Sequence, residues 1–477
     1  MELDVFSDKP KATEIGSYFV ANYPPFSVWS ADQVGEFVNV LDTPLGGSER
    51  TPLGLYIHIP FCRKRCHFCY FRVYTDKNSS DVDAYLHALA REAELYANRA
   101  ALRRRHFDFV YFGGGTPSFL SSDQLKRLID RISEHWAWER AREVTFECEP
   151  GTLKKQKLET IKAIGTTRLS LGIEHFDDEV LELGGRAHRS AEVFQAFDWA
   201  REVGFAQINI DLIAGMVGDT EDKWKQTVDK ALALDADSVT IYQMEVPHNT
   251  VIARDAKQSG STTPVASWAT KRRWVDHAFR TFEEAGYEVS SAYTLAKPVP
   301  PLNPPLKGGE ATPNASFLSG GEATRTTPSP KTNSDKRGFV YRDALWHGAD
   351  LIGTGVASFG HLGGVHYQNH DSWESYVGAL DRGELPLSRA LSVSARQRLI
   401  REMILQFKLG RLDASYFRGK FGEEITQVFD DAFNSLRDEG LLTQSGDDIR
   451  LTRNGLLCVD ALLPRFFEKE FQDIRYT

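Results

Sequence analysis

Short hydrophobic runs rich in β-branched and aromatic residues alternate with longer amphipathic stretches over the first 285 residues. Six of these runs predict β-strands, at 54–59, 107–112, 143–148, 167–173, 206–213 and 237–244. Helical spacing of apolar positions predicts helices that start near Asp81 and after Ser122, and others that cover roughly 152–164, 190–203, 220–235 and 266–285. Because parallel neighbours need a crossover connection, six consecutive strand–helix units predict a parallel sheet.

The apolar character of the six strands favours an α/β fold with a partial (β/α)6 barrel, and a doubly wound sheet is the alternative. This interpretation divides the chain into five regions. They are an N-terminal extension at 1–50, the core barrel at 51–296, an insertion at 297–338, a core-completing segment at 339–390 and a C-terminal winged-helix-like domain at 391–477.

The insertion has the composition of a disordered segment. It is rich in Pro, Gly, Ser, Thr and Asn, and it repeats GGEAT at 308–312 and 320–324. A stretch of this kind cannot bury enough apolar surface to fold, so disorder is predicted here.

The C-terminal region changes to helical spacing, beginning with ARQRLIREMILQF at 395–407 and ending in a predicted hairpin and helix. This order resembles a winged helix, for which DNA binding is one interpretation. Residues 394–477 hold 13 Lys and Arg against 14 Asp and Glu, however, so the positive field expected of a DNA-binding domain is missing. A packing or lid domain is the favoured interpretation.

Composition narrows the class of protein. The 477 residues are 41% hydrophobic and carry a net charge of −9, which predicts a globular protein without attraction to nucleic acid or to an anionic membrane. The N-terminal sequence lacks the pattern of a signal peptide, and no window reaches the ~18 apolar residues of a membrane span. Five cysteines are too few for a secreted disulfide scaffold. A cytoplasmic protein is predicted.

Three of the five cysteines lie in one segment, YIHIPFCRKRCHFCYF, which follows the first predicted strand. A disulfide would leave one of Cys62, Cys66 and Cys69 unpaired. A zinc ion would need a fourth ligand such as His58 or His67. Three thiolates on a [4Fe–4S] cluster leave one iron open to a cofactor or substrate. The spacing favours the cluster, with positive charge supplied by Arg63, Lys64 and Arg65, and zinc is the alternative.

Two motifs carry a resemblance to a known family. The pattern Y-x-H-I-P-F-C-x3-C-x-F-C at 56–69, together with GGGTP at 113–117, resembles the radical S-adenosylmethionine (SAM) superfamily. More narrowly it resembles the oxygen-independent coproporphyrinogen III oxidase family, whose relatives include haem chaperones and class C radical methyltransferases. The resemblance implies that Cys62, Cys66 and Cys69 hold a [4Fe–4S] cluster. It also implies that SAM binds the open iron and is cleaved to a 5′-deoxyadenosyl radical.

Polar residues fall at the ends of the predicted strands. Gly113 to Gly115 follow the second strand, and Glu147, Glu174 and Asp211 end the next three. Since barrel enzymes build their sites at the carboxyl ends of parallel strands, these residues are expected on one rim. Glycines after the second strand allow the backbone to approach a ligand closely.

The resemblance assigns cofactor contacts to individual positions. It implies contacts with the cluster-bound SAM at Tyr56, Gly114 and Glu147. It implies a second SAM site at Phe68, Gly115, Thr116, Glu174, Arg186, Asp211, Met244 and Phe359. An arginine suits a methionyl carboxylate and an aspartate suits ribose hydroxyls, while a salt bridge between Arg186 and Asp211 is the alternative.

Tyr56 and His58 are the candidate catalytic residues. His58 lies near the cysteine loop and could move a proton, and a hydrogen-bonded core histidine is the alternative. Cys148 and Cys458 are interpreted as ordinary buried thiols.

Three departures from the family pattern bear on the reaction. This chain has Phe71 in place of a further cysteine, Glu174 in place of a glutamine and Met244 in place of a small residue. The resemblance implies oxidative decarboxylation of porphyrinogen propionates. The alternatives are a methyltransferase or cyclopropanase that uses two SAM molecules, and a haem chaperone. Expected partners are a small-molecule substrate and a reductant such as flavodoxin or ferredoxin.

Overall fold

The computed structural model describes residues 19–45, 51–103, 105–260, 264–298, 338–472 and 474. Nearly all of the insertion predicted at 297–338 lies outside these residues, as do the first 18 residues of the N-terminal extension.

Six parallel strands form the centre of the sheet, as the hydrophobic pattern predicts. Each strand pairs with its neighbour in the sequence, and each begins and ends within two residues of the predicted bounds. The strands are β1 Leu53–Ile59, β2 Phe109–Gly114, β3 Glu143–Cys148, β4 Arg168–Glu174, β5 Gln207–Ala214 and β6 Ser238–Gln243. Their carboxyl ends therefore lie along one edge of the barrel wall.

Further strands extend the sheet at both edges to twelve strands in all. Beyond β6 lie β7 Glu288–Val289 and β8 Thr294–Ala296. Beyond β1 lie β9 Asp350–Thr354, which is parallel to β1, and the antiparallel strands β10 Phe359–Leu362, β11 Val365–Asn369 and β12 Leu387–Ser392. The sequence predicted a single sheet element here. Gly363 and Gly364, both with positive φ, form the tight turn between β10 and β11 and are the signal of a hairpin.

Helices follow most strands and cover the outer face of the sheet. They are α1 Val34–Asp42, α2 Ser79–Ala97, α3 Ser122–Ser133, α4 Lys155–Ala163, α5 Asp178–Leu183, α6 Ser190–Val203, α7 Glu221–Ala233, α8 Val251–Ser259, α9 Trp268–Glu284, α10 Val340–Trp346 and α11 Trp373–Asp381. Helix α2 begins two residues before the predicted start because Asn78 caps it, accepting hydrogen bonds from the backbone of Ser80 and Asp81. None of the helices among the described residues is long and apolar enough to cross a membrane.

The C-terminal region is helical and carries a small antiparallel sheet, in agreement with the winged-helix-like prediction. Its helices are α12 Ala395–Phe407, α13 Ala414–Phe421, α14 Ile425–Val428, α15 Asp430–Asp438, α16 Arg453–Leu457 and α17 Val459–Leu462. Its strands β13 Arg411–Asp413, β14 Leu442–Ser445 and β15 Asp448–Leu451 pair in the order β13–β15–β14. The hairpin of β14 and β15 occupies the position of the wing.

A buried ion pair joins this region to the rest of the protein. The Nζ atom of Lys408, which is fully buried, lies 2.7 Å from Oδ1 of Asp460 and 2.7 Å from the carbonyl oxygen of Val20. Tyr293, just before β8, also donates a hydrogen bond to Asp460. The N-terminal segment, the barrel and the C-terminal helices therefore meet at one charged contact.

We expect Asp460→Asn to lower the free energy of unfolding by about 3–5 kcal/mol, because it leaves the buried Lys408 ammonium without its counter-ion. Urea denaturation measures the loss. The matched control is Asp447→Asn, since the ion pair of Asp447 with Arg418 has both side chains 48% exposed and should change stability little. Equal effects of the two substitutions would contradict the importance of the buried pair.

Candidate active site

A cavity of about 550 Å³ opens at the carboxyl ends of the parallel strands. The cysteine loop, residues 60–78 between β1 and α2, forms one part of the lining, and residues 456–461 of the C-terminal region form another. Twelve of the fifteen predicted site residues line it: Cys62, Cys66, Phe68, Cys69, Gly114, Gly115, Thr116, Glu147, Glu174, Arg186, Asp211 and Met244. Parallel strands thus bring together residues that are far apart in the sequence.

Backbone hydrogen bonds hold the cysteine loop in place, although it has no regular secondary structure. The amide of Cys62 donates to the carbonyl oxygen of Tyr74 at 3.0 Å, and the amide of Tyr74 donates to Pro60 at 2.8 Å. The amide of His67 donates to Gly184, after α5, at 2.9 Å. Anchored at both ends and in the middle, the loop presents all three cysteines to the cavity.

The thiols lie in a desolvated environment. Burial raises the pKa of Cys62 to about 12 and that of Cys69 to about 11. Without a cation these groups stay protonated at neutral pH, and a bound metal that compensates the charge ionises them. The loop is therefore suited to binding metal as thiolates.

The fit of the loop against β2 depends on glycine. A Cβ atom on Gly115 would lie 3.0 Å from Sγ of Cys62 and 2.9 Å from the backbone carbon of Pro60. Gly114 has a φ of +117°, and a Cβ there would lie 2.7 Å from the ring of His58. Glycine at both positions lets the end of β2 come close to the thiols.

The arrangement fits a multi-iron cluster better than a single zinc ion. Among the described residues, no group of three His, Cys, Asp or Glu side chains is placed to hold one metal ion. Each of the two histidines considered as a fourth zinc ligand uses one ring nitrogen in another contact: Nδ1 of His67 lies 2.8 Å from the carbonyl oxygen of Leu183, and Nδ1 of His58 lies 3.1 Å from Oη of Tyr56. Three thiolates suit an iron–sulfur cluster that keeps one iron open.

The predicted carboxyl residues Glu147, Glu174 and Asp211 are partly buried and line the same cavity. Glu147 accepts hydrogen bonds from Oη of Tyr111 at 2.5 Å and from the amide of Gly114 at 3.3 Å. Burial raises the pKa of Glu147 and of Glu174 to about 7 each, and it also raises the pKa of Asp211. These groups are poised to ionise when a cationic ligand enters.

Arg186 links the carboxyl groups to the cysteine loop. Its Nη1 atom donates to Sγ of Cys66 at 3.3 Å, its Nη2 atom donates to the carbonyl oxygen of Gly172 at 2.6 Å, and the guanidinium lies 3.5 Å from Glu174. Asp211 instead accepts hydrogen bonds from Ser170 at 2.8 Å and from Asn209 at 2.9 Å. The alternative of a salt bridge between Arg186 and Asp211 is therefore wrong, because each has different partners.

The structure does not place Tyr56, His58 and Phe359 in the cavity lining. Tyr56 stacks on Tyr111, which lines the cavity, and so it lies behind Tyr111. Burial lowers the pKa of His58 to about 4, which keeps the imidazole neutral. Its Nδ1 atom is paired with Tyr56, while its buried Nε2 atom has no hydrogen-bond partner among the described residues, so a catalytic role of His58 stays a prediction. Phe359 begins β10 and packs on Phe26 of the N-terminal segment, with ring centroids 4.3 Å apart.

The sequence analysis did not predict one part of the cavity lining. It contains Trp268 at the start of α9, Arg272 one turn later and Tyr293 before β8, together with residues 456–461. Behind Trp268 lies the buried Lys271, whose Nζ atom donates to the carbonyl oxygen of Met244 at 2.6 Å and lies 4.0 Å from the indole centroid. Helical periodicity in α9 gave no signal that these residues face a cavity.

Two family models match the chain. The model of the radical SAM superfamily matches residues 56–231, and the model of the HemN C-terminal domain matches residues 393–458. These matches confirm the resemblance that the cysteine and glycine motifs indicated.

The relatives include an enzyme and a chaperone. The chain is 27% identical to the oxygen-independent coproporphyrinogen III oxidase of Synechocystis sp., over 92% of this chain and 89% of that protein. It is 29% identical to the heme chaperone HemW of Bacillus subtilis, over 84% of this chain and 96% of that protein. The structure superposes on coproporphyrinogen III oxidase (HemN) from Escherichia coli with a TM-score of 0.75, 23% identity and coverage of 94% and 96%, which shows a shared fold.

We expect Gly115→Ala to reduce the iron and sulfide retained after anaerobic reconstitution, because the added methyl group pushes on Cys62 and on the backbone of the loop. Elemental analysis measures the retained iron. Gly35→Ala is the control, since a Cβ on Gly35 in α1 meets nothing within 4 Å. Full iron content in Gly115→Ala would show that the loop tolerates displacement.

Proposed function

We propose that this chain, a radical SAM protein of the oxygen-independent coproporphyrinogen III oxidase-like family, holds a [4Fe–4S] cluster on Cys62, Cys66 and Cys69 and acts on a small-molecule substrate with SAM. When bound, the cluster supplies the electron that cleaves SAM reductively to a 5′-deoxyadenosyl radical. A protein reductant such as flavodoxin or ferredoxin would provide that electron.

The observation that carries this proposal is that one cavity is lined by the three thiols of the cysteine loop and by the carboxyl groups of Glu147, Glu174 and Asp211. SAM carries a sulfonium and an ammonium group. Glu147, held by Tyr111 and Gly114, is placed to attract these positive groups, and Glu174 and Asp211 add to the negative potential once ionised. Arg186, the cation between the thiols and these carboxyl groups, suits the carboxylate of a bound amino acid.

We propose oxidative decarboxylation of porphyrinogen propionates as the reaction. Abstraction of one hydrogen atom from a propionate leaves a carbon radical. Loss of CO2 and of one electron then gives a vinyl group, and this released electron balances the one consumed in cleaving SAM, so that SAM is the net oxidant. The support is the similarity to the Synechocystis oxidase over most of both chains, and a cavity wall in which Trp268, Tyr242 and Tyr293 offer aromatic faces to the pyrrole rings of a macrocycle.

A haem chaperone is the second candidate. The chain spans 96% of the Bacillus subtilis chaperone at 29% identity, which is as strong a similarity as that to the oxidase. In this case the protein would bind haem and transfer it without turnover of porphyrinogen. The large cavity would then serve the cluster and SAM rather than a porphyrin reaction.

The decisive experiment is anaerobic incubation of the reconstituted protein with SAM, dithionite and coproporphyrinogen III, followed by mass spectrometry. We expect 5′-deoxyadenosine and a product that has lost one CO2 and two hydrogens for each vinyl formed. Cys66→Ala should abolish both, while Cys458→Ala should retain its iron, because Cys458 lies outside the cysteine loop. S-adenosylhomocysteine with a methylated or cyclopropanated product would favour the methyltransferase or cyclopropanase instead. An unchanged porphyrinogen together with haem binding by the cluster-free protein would favour the chaperone.

We propose further that a second SAM binds against Asp211. Asp211→Asn should weaken this second site by roughly 30-fold, the equivalent of about 2 kcal/mol for a lost charge-assisted contact. Equilibrium dialysis with labelled SAM measures the stoichiometry. Asp222→Asn is the control, since Asp222 is exposed on α7. We expect two equivalents in the wild-type protein and the control, and one in Asp211→Asn. A single equivalent in the wild-type protein would reject the second site.

A further inference from the structure

Two of the three thiols of the cysteine loop accept a hydrogen bond from a side chain outside the loop. Oγ1 of Thr116 donates to Sγ of Cys62 at 3.4 Å, and Nη1 of Arg186 donates to Sγ of Cys66 at 3.3 Å. One donor is a neutral hydroxyl and the other is a guanidinium, so the loop is asymmetric in charge.

Arg186 is fixed in this position by other contacts. Its side chain is 10% exposed, and Nη2 donates to the carbonyl oxygen of Gly172 at 2.6 Å. Glu174 lies 3.5 Å away and helps to hold the guanidinium, and the backbone of Arg186 is itself tied to Leu181 in α5. A positive charge that is buried and cannot rotate away is screened weakly by solvent.

Thr116 reaches Cys62 from the segment after β2. It lies two residues beyond the end of β2 and is buried, and its hydroxyl is brought to the sulfur by the close approach of Gly115 to the loop. The donors to Cys62 and Cys66 therefore come from two separate elements of the barrel, outside the cysteine loop.

We propose that Arg186 and Thr116 are positioning residues that raise the reduction potential of the cluster by donating hydrogen bonds to two of its three thiolates. The inference rests on the proposed function, since it requires a cluster on these cysteines. One-electron reduction makes the cluster more negative. Donors and positive charge at the sulfur atoms stabilise that state more than the oxidised state. Arg186 has the larger effect because its donor is charged.

The test is an anaerobic redox titration of the reconstituted full-length protein without SAM, followed by electron paramagnetic resonance of the reduced cluster. We expect Arg186→Met and Thr116→Val each to shift the midpoint potential to more negative values, with the larger shift in Arg186→Met. Thr116→Ser, which keeps the hydroxyl, should retain the wild-type potential. Arg186→Lys, which keeps the charge, should shift the potential less than Arg186→Met.

Arg65→Gln is the matched control for charge. Arg65 lies on the cysteine loop, but its Nη2 atom donates to the carbonyl oxygen of Cys69 at 3.1 Å rather than to a sulfur. A shift in Arg65→Gln as large as that in Arg186→Met would overturn the assignment of a hydrogen bond to sulfur. Wild-type potentials in both Arg186→Met and Thr116→Val, at full iron content, would overturn the inference.

If Arg186→Met does not retain the cluster, its potential cannot be measured and Thr116→Val tests the inference alone. This substitution is isosteric and removes only the hydroxyl group. A more negative potential in Thr116→Val supports the inference, and an unchanged potential overturns it. Failure of the proposed function gives a different result, because the wild-type protein itself would then retain no iron–sulfur cluster after reconstitution.

Discussion

The parallel pairing of six consecutive strands is the constraint on which the site depends. A parallel sheet with right-handed crossovers places every carboxyl strand end on the same edge. Gly114 at the end of β2, Glu147 near the end of β3 and Asp211 in β5 therefore meet above one cavity, although about 100 residues separate the first from the last. The cysteine loop lies at the same edge, because it begins at the carboxyl end of β1.

Desolvation gives this cavity its chemistry. Thiols and carboxyl groups that are ordinary in water are shifted towards their neutral forms when burial removes solvent, as the raised pKa values of Cys62 and Glu147 show. Iron and a sulfonium compound are the kinds of cation that reverse this shift. Arg186 is the cation that the protein itself provides between the two groups, with contacts to Cys66 and Glu174. Burial of these groups therefore explains both their raised pKa values and their suitability for binding positively charged ligands.

Closure of the cavity depends on contacts that span the chain. The buried pair of Lys408 and Asp460 fastens the C-terminal helices to the N-terminal segment at Val20, and Gln243 at the end of β6 donates a hydrogen bond to the carbonyl oxygen of Leu457 at 2.9 Å. The C-terminal region therefore contributes a wall of the cavity.

The sequence by itself determined the six strands, their parallel order and the residues at their ends, because hydrophobic periodicity and strand–helix alternation are local properties. It also indicated the metal-binding loop, because the three cysteines lie within one short segment of the sequence. The tertiary structure alone decided the contacts that depend on distances between segments. In the folded protein Arg186 contacts Cys66 and Glu174, and Phe359 packs on Phe26. Tyr56 and His58 do not line the cavity, whereas Trp268 and residues 456–461 do. Local patterns cannot encode these outcomes, because side-chain partners follow from packing between elements distant in the sequence.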